Sequence, residues 1–557
     1  MPSLQIRFSQ IDPAAKQDIN TLSSSVLKPW SNLNDLRFDS VEYPMNAATC
    51  EWNYSILDGL MEEFPDNTSG KLWGLWSSVF SNQNGIFTTP PYLDIVFHNI
   101  HKSNGLTLYF YPHTDDYAKE ILVTWYDTAD NVLASGIFQG DSNIVSIPQY
   151  VEGYDRIVIK FLSTNIPYRY IKLYAIDFGL IRILNDSEVS TCRVIEEVDP
   201  TNESMSVNVL DAVIRSKSGI FSPIIGDNPS DTVSYQPLQI IVDGHQFGTF
   251  FLSNWEDVFQ SGIEFNISAD DALGILDIYP FVGGIYTNKK VVELLDEIFN
   301  ITFPTELIKY NLDSYYVNST VTGWIPHGTC GLALQLICFA INATVDTEKN
   351  GNVWIYPTEI ATTYNIELNQ QYRRGKFGFT EYFSGVDITS YNYVPGTETA
   401  EVFNGLLSPG QHTIKTSEPL HSYTATNATI LSSGANYVRI NVASNLNILI
   451  SGLRYIDNAR VYSVRNQVEL GQIENIKIYD GYTLITPQIA LSVANRRLNI
   501  LSKRIKAEVA ARRNDFEVGY IANVKTQGRT INGLITKANF NLRGDMVDME
   551  VIGNAVG

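Results

Sequence analysis

The stretch 264–299, EFNISADDALGILDIYPFVGGIYTNKKVVELLDEIF, constrains the fold most, because its hydrophobic period changes from strand-like to helical within one short run. Glu264-Phe265-Asn266-Ile267 alternates as a strand does. Ser268-Ala269-Asp270-Asp271 follows, where Ser268 and Asp270 are placed to cap a short helix. Gly283-Gly284 breaks the chain, and Thr287-Asn288 cap a second helix that carries Val291, Leu294, Leu295, Ile298 and Phe299 on one face. Nothing in this succession presents a reactive side chain. It reads as scaffold.

Around this mixed segment the text is mainly β. A period-2 strand (Leu4, Ile6, Phe8) opens residues 1–40 and leads into a Ser/Asn-rich arm. Over 41–182 alternating runs recur between turns: Cys50–Tyr54, Leu93–Phe97, Leu106–Phe110, Ile121–Trp125, Ile157–Phe161 and Tyr170–Tyr174. Asp127–Asn131 reads as a hairpin turn, and Pro90-Pro91 starts a strand where no ladder amide is needed. Several short strands in such a span predict a β-sandwich or jelly roll. Strands resume over 183–267, with Asp243-Gly244 as the turn of a hairpin, and predict a small barrel.

Residues 268–371 are mixed. Thr329–Ala343 is apolar nearly all round and predicts a buried helix, and 345–357 reads as a hairpin with Asn350-Gly351-Asn352 at its tip. Strand text returns over 372–485 with a Gly/Ser/Thr/Asn-rich insert. Thr486-Pro487 then starts a predicted long helix over 486–513, and 514–557 closes in strands. The fold class expected is a β-sandwich followed by two small β-barrels with an α+β insert.

A formal charge of −21 repels nucleic-acid phosphates, which argues against sequence-specific DNA binding. Cys50, Cys192, Cys330 and Cys338 form no CxxC pair and stand at no zinc-ligand spacing, so they read as reduced, buried thiols suited to a reducing cytoplasm. Met1–Asn20 is polar, no signal peptide is evident, and no apolar run of about 18 residues is present to span a bilayer.

No HExxH, GxSxG, P-loop or EF-hand loop is present, and neither a catalytic nor a metal site is read from the chain. His98 and His101 are read as ordinary surface residues. Glu62-Glu63, Asp115-Asp116 and Asp270-Asp271 are poor starts for a glycosidase pair, which needs two carboxylates across a cleft, and Asp270 and Asp271 are better explained by helix capping. Strand aromatics such as Tyr92, Tyr109, Tyr111 and Trp125 read as packing. Trp73 and Trp76, in a Gly-containing loop, are the candidates for a sugar platform. The basic residues Arg496, Arg497, Lys503 and Arg504 form one side of the predicted long helix. They read either as a solvated face or as an intersubunit contact with acidic neighbours.

The hairpin LQIIVDGHQFGTFFLSNW (238–255), the blocks FNISADDALGILD (265–277) and FVGGIYTNKKVVELLDEIF (281–299), and the closing GYIANVKTQGRTINGLITKANFNLRGDMVDMEVIG (519–553), in this order, resemble the baseplate-hub proteins of tailed bacteriophages of Gram-positive hosts. The resemblance covers about 186–557, apart from an insert near 396–465. It implies a homotrimer in which two similar barrels per subunit give a pseudo-sixfold ring. The ring joins a distal tail or tail-tube protein above to tip, spike or receptor-binding proteins below. Tape-measure protein and DNA in transit pass through its lumen. It also implies residence in the virion, assembly in the host bacterial cytoplasm, no cofactor and no enzymatic activity. Because the text stops straight after the last barrel strand, any lytic activity is expected on another chain. The 41–182 module resembles galactose-binding-like sandwiches, with PYRYIKLYAIDFG (167–179) as the closing strand. The alternatives left open are a carbohydrate-binding adhesin that contacts host cell-wall glycan, a cell-wall hydrolase, and the hub of a phage-tail-like bacteriocin.

Overall fold

The computed structural model describes residues 3–37, 44–48, 51–52, 63–216, 235–260, 262–303, 308–358, 363–372, 375–466, 474–514 and 516–556. The chain forms two units, one of Arg7–Leu184 with Ile220–Pro237 and the other of Met1–Ile6, Asn185–Gly219 and Leu238–Gly557. The expected first strand, Leu4–Ile11, crosses from one to the other. Both are mainly β.

In the first unit one seven-stranded sheet runs in the order Leu75–Phe80, Tyr170–Asp177, Tyr92–Phe110, Ile144–Thr164, Ala118–Tyr126 and Val132–Gln139, with Ile19–Ser24 also on Tyr92–Phe110. The runs expected at 93–97 and 106–110 are two halves of one long strand, whose pairing breaks register between Val96 and His101. Such a break lets a strand bend and carry its sheet around a core. Inward residues of every part (Leu93, Leu108, Val123, Ile159 and Leu173 among them) meet in one cluster, so the sheet is folded over its own interior. The Asp127–Asn131 turn is present, with Asp127 accepting from the amides of Ala129 and Asn131. The run expected at 50–54 lies largely outside the described residues.

Ten strands of the second unit matter for function. The first five are β1 (Val189–Glu197), β2 (Val209–Ser216), β3 (Pro237–Val242), β4 (His245–Gln260) and β5 (Gly262–Asp270). The others are β6 (Lys376–Phe379), β7 (Ile505–Arg512), β8 (Ile521–Lys525), β9 (Thr530–Asn541) and β10 (Met546–Val556). They share one sheet, in the order β6-β7-β10-β9-β1-β2-β5-β4-β3, with β8 also on β9. The first set reads β1-β2-β5-β4-β3 and the second β6-β7-β10-β9-β8. These are the same order, each first strand lying against the second and the second against the fifth.

The mixed region contributes α1 (Ala272–Leu276), α2 (Val291–Thr302), α3 (Cys330–Ile341) and α4 (Ala490–Leu501). α2 buries Val291, Leu294, Leu295, Ile298 and Phe299, as its period requires. α3 is buried on nearly all sides and capped by Thr329, whose hydroxyl accepts from Leu332 N. Of the caps expected at Ser268, Asp270 and Asp271 one is found, and the cap expected at Thr287-Asn288 is not. Asp271, not Ser268 or Asp270, caps α1, because Ser268 and Asp270 still belong to β5. Thr287 and Asn288 lie in the strand Gly284–Lys290, and Lys290 precedes α2 without a side-chain cap.

The long helix expected over 486–513 is two elements. α4 ends at Leu501, and from Ile505 the chain is β7, paired along its length with β10. Ile505, Ala507, Val509 and Ala511 alternate, and the sheet edge offered by β10 outweighs helix propensity there. The unmatched insert forms two three-stranded sheets, Val394–Leu407 with Leu446–Ile456 and Leu420–Thr426, and Gly410–Lys415 with Tyr437–Val442 and Thr429–Gly434. Val438, Ile440, Val442, Ile448 and Ile450 give it a core of its own.

Candidate assembly surface

The sugar-platform expectation is corrected by burial. Trp73 and Trp76 are each 1% exposed and pack with Ala47 and Tyr111, so neither ring offers a face to a ligand. Trp76 packs edge-on to Tyr111, with ring centroids 5.7 Å apart, and donates from Nε1 to Trp73 O. It also walls an ion cluster. Lys172 Nζ lies 5.5 Å from the Trp76 ring centroid and 2.6 Å from both Glu51 Oε2 and Asp116 Oδ2, while Arg169 Nε donates to Asp116 Oδ1 at 3.2 Å. All four charges are buried, and their mutual compensation makes that burial tolerable. The missed signal was Lys172 between the core residues Ile171 and Leu173 in a largely apolar strand.

The basic face is corrected too, because the four residues do not share one surface. Arg497 is 0% exposed: its Nη1 donates to Asn342 Oδ1 at 2.6 Å and its guanidinium lies 3.9 Å from the Phe339 ring centroid. It thereby ties α4 to the C-terminal end of α3, where a cation is favoured. Burial, then the neighbouring Arg496, pushes its pKa down to about 9. Arg496 is half-buried and its Nη2 reaches Thr344 Oγ1 at 3.5 Å. Lys503 and Arg504 lie beyond the helix, in the link to β7, where Arg504 sits over the Tyr382 ring at 4.7 Å.

Asp271 and Asp116, one of each acid pair, are structural acids. Asp271 Oδ1 accepts from Leu273 N and Gly274 N, and Oδ2 accepts from Asn208 N and Thr347 Oγ1. Burial pushes its pKa up to about 7 against the pull of those donors. Burial also raises Asp346 well above the carboxylate range, with Glu196 adding to it. His98 is exposed as expected, but His101 is not an ordinary surface residue. Its Nδ1 and Nε2 each lie 2.8 Å from a carboxylate oxygen, of Asp12 and Asp18 respectively. Among the described residues no group of three or more His, Cys, Asp or Glu side chains is arranged to hold a metal ion. Cys192, Cys330 and Cys338 are free and buried; Cys50 lies outside the described residues. Among the described residues no helix is long and apolar enough to cross a membrane.

The remaining candidate is the repeated sheet. In the first set Val194 lies opposite Leu210, Leu210 opposite Ala269, and Ala269 opposite Leu252, after which β4 slips register before Asn254. In the second set Phe377 lies opposite Ala507, Ala507 opposite Val551, and Val551 opposite Ile535, after which β9 slips before Lys537. Four strands thus keep one register in both sets, and the slip falls on the same strand at the same place. The sets are joined edge to edge. β8 covers the first half of one side of β9, pairing with Thr530–Leu534, and β1 takes the second half, with Val194 opposite Phe540 and Glu196 opposite Ala538. Lys537 donates to Glu197 across this joint at 2.8 Å.

No protein-family model matches this chain, and no curated protein matches it. Solved structures do resemble it. The 43 kDa tail protein of prophage MuSo2 from Shewanella oneidensis aligns at 13% identity and a TM-score of 0.42, over 67% of this chain and 96% of that one. The tail protein from Neisseria meningitidis MC58 aligns at 12% identity and a TM-score of 0.40, over 66% and 93%. Prophage tail protein gp18 from Listeria monocytogenes EGD-e aligns at 8% identity and a TM-score of 0.38, over 78% and 94%. Phage tail and baseplate proteins stand among the structural neighbours, together with a type VI secretion component of E. coli and PdpA-VgrG complexes.

Proposed function

We propose that this chain is a structural hub at the tip of a phage tail. Three copies close a ring that joins a sixfold tail tube to a threefold tip and conducts tape-measure protein and DNA. The observation that carries the reading is the shared register of β1-β2-β5-β4 and β6-β7-β10-β9, with the slip at the same point. A subunit built from two copies of one β-unit lets three molecules present six equivalent surfaces, which is what a joint between sixfold and threefold assemblies requires. The formal charge of −21 fits a duct through which DNA must slide without being held. The role is mechanical, with no catalytic step assigned to the chain.

The test is the mass of the purified full chain in solution, with particle imaging. A species of three times 62.5 kDa with a threefold ring and a central hole is expected. A monomer that forms no ring at any concentration tried overturns the reading.

A further inference from the structure

The repeat makes the two joints of such a ring unequal in visibility. One lies inside the chain, where β1 pairs with the second half of β9. The other has both halves present but apart. β4 is the counterpart of β9, and β3, its hairpin partner, has six residues against the sixteen of β4. Beyond the slip after Leu252, β4 pairs with β5 on one side, and no strand among the described residues pairs with the other. β6 is the counterpart of β1. It pairs with β7 on one side, and on the other no strand among the described residues pairs with it.

Burial at equivalent positions separates the made joint from the unmade one. Val194 and Glu196 of β1 are 0% and 8% exposed where β1 pairs with β9 and Lys349 covers the Glu196 carboxylate. By register their counterparts in β6 are Phe377 and Phe379, which are 59% and 81% exposed. Two aromatic side chains at positions buried in the sister unit mark a missing neighbour. On the other half of the unmade joint, Trp255 stacks on Phe265, and its Nε1 is buried without a hydrogen-bond partner.

We infer that the free edge of β6 pairs antiparallel with the second half of β4 in a neighbouring copy of this chain, repeating the β1–β9 joint between subunits. This rests on the ring reading above. The partner is a second copy because the edge that the repeat matches, the second half of β4, is carried by this chain itself. The contact is also heterologous, so it propagates around a ring rather than closing a twofold dimer. The register follows from the slip. Ala538, opposite Glu196, corresponds to Trp255, and Asn539, opposite Ile195, corresponds to Glu256. Phe379 therefore lies opposite Trp255 of the neighbour and Gly378 opposite Glu256. The aromatic pair becomes enclosed, and backbone ladder bonds supply the rest of the contact.

Two full-length variants test this beside the unmodified chain. Phe379→Asp changes an exposed side chain, so the subunit is expected to keep its fold while the trimer mass falls to that of one chain. Gly378→Cys combined with Glu256→Cys is expected to give a covalent trimer on mild oxidation, while each single substitution gives none. Gly378 has open space where the new Cβ would stand. A trimeric parent whose Phe379→Asp variant stays trimeric, and whose double-cysteine variant stays uncrosslinked, overturns this joint and leaves the hub reading standing. A monomeric parent overturns the hub reading, and the joint falls with it.

Discussion

Single residues decide stability here through buried charge. Lys172→Met strands the carboxylates of Glu51 and Asp116 in the interior of the first unit. Removing one partner of a buried pair costs about 3–5 kcal/mol, and chemical denaturation of the first unit's transition is expected to show a loss of that order. Adding Glu51→Gln and Asp116→Asn to Lys172→Met is expected to recover much of it. Asp271 predicts a pH dependence. Its carboxyl is raised from 3.8 to about 7, so between those values the folded state binds more protons than the unfolded one, and stability falls as pH rises through that window. The melting temperature is expected to be lower at pH 8 than at pH 5. Asp271→Asn is expected to flatten that slope while keeping an oxygen for the α1 amides. The sequence marked Asp270 and Asp271 as helix caps, and of the two only Asp271 serves as one. The side chain that caps also has to be the first one free of the strand, and pairing between β2 and β5, not local pattern, sets where the strand ends.

At the level of elements, the insert over 394–456 is attached by few contacts. Asn436 is fully buried: its Nδ2 donates to Val282 O at 2.7 Å and Ile325 O at 2.8 Å, and its Oδ1 accepts from Trp324 Nε1 at 2.6 Å. Asn436→Ala leaves those groups unpaired, each at a cost of about 1–3 kcal/mol. Hydrogen exchange is expected to rise in 394–456 and little elsewhere, since the insert has its own core. In α3, Leu334→Ala is expected to cost about 2–5 kcal/mol, because Leu334 is enclosed on all sides, and thermal unfolding of the second unit reads it. α2 and α3 were legible in sequence, since a 3.6-residue apolar period has only one efficient way to be buried. The end of α4 was not. Leu501 and Ile505 continue a helical spacing, and only the free edge of β10 turns 505–512 into a strand.

For the whole molecule, acidity and assembly oppose each other. Copies carrying −21 each repel one another, and salt screens exposed charges over about 10 Å at 0.1 M. Dissociation of the proposed trimer, measured by sedimentation, is therefore expected to weaken between 0.05 and 0.5 M salt. If the dissociation constant instead rises with salt, ion pairs rather than aromatic burial hold the proposed ring. The mechanical role predicts no clearing on a peptidoglycan zymogram.

Alternation and turn chemistry alone set the β class, the buried α3, the apolar face of α2 and the hairpin at Asp243-Gly244, because each depends on neighbours a few residues apart. Tertiary structure alone decided that Trp73 and Trp76 are enclosed, that Arg497 serves α3 rather than solvent, and that β1-β2-β5-β4 and β6-β7-β10-β9 share one register. β6 and β7 are separated by more than a hundred residues. Strand partners so far apart are chosen by which edges remain unpaired after local folding, and no local pattern records that.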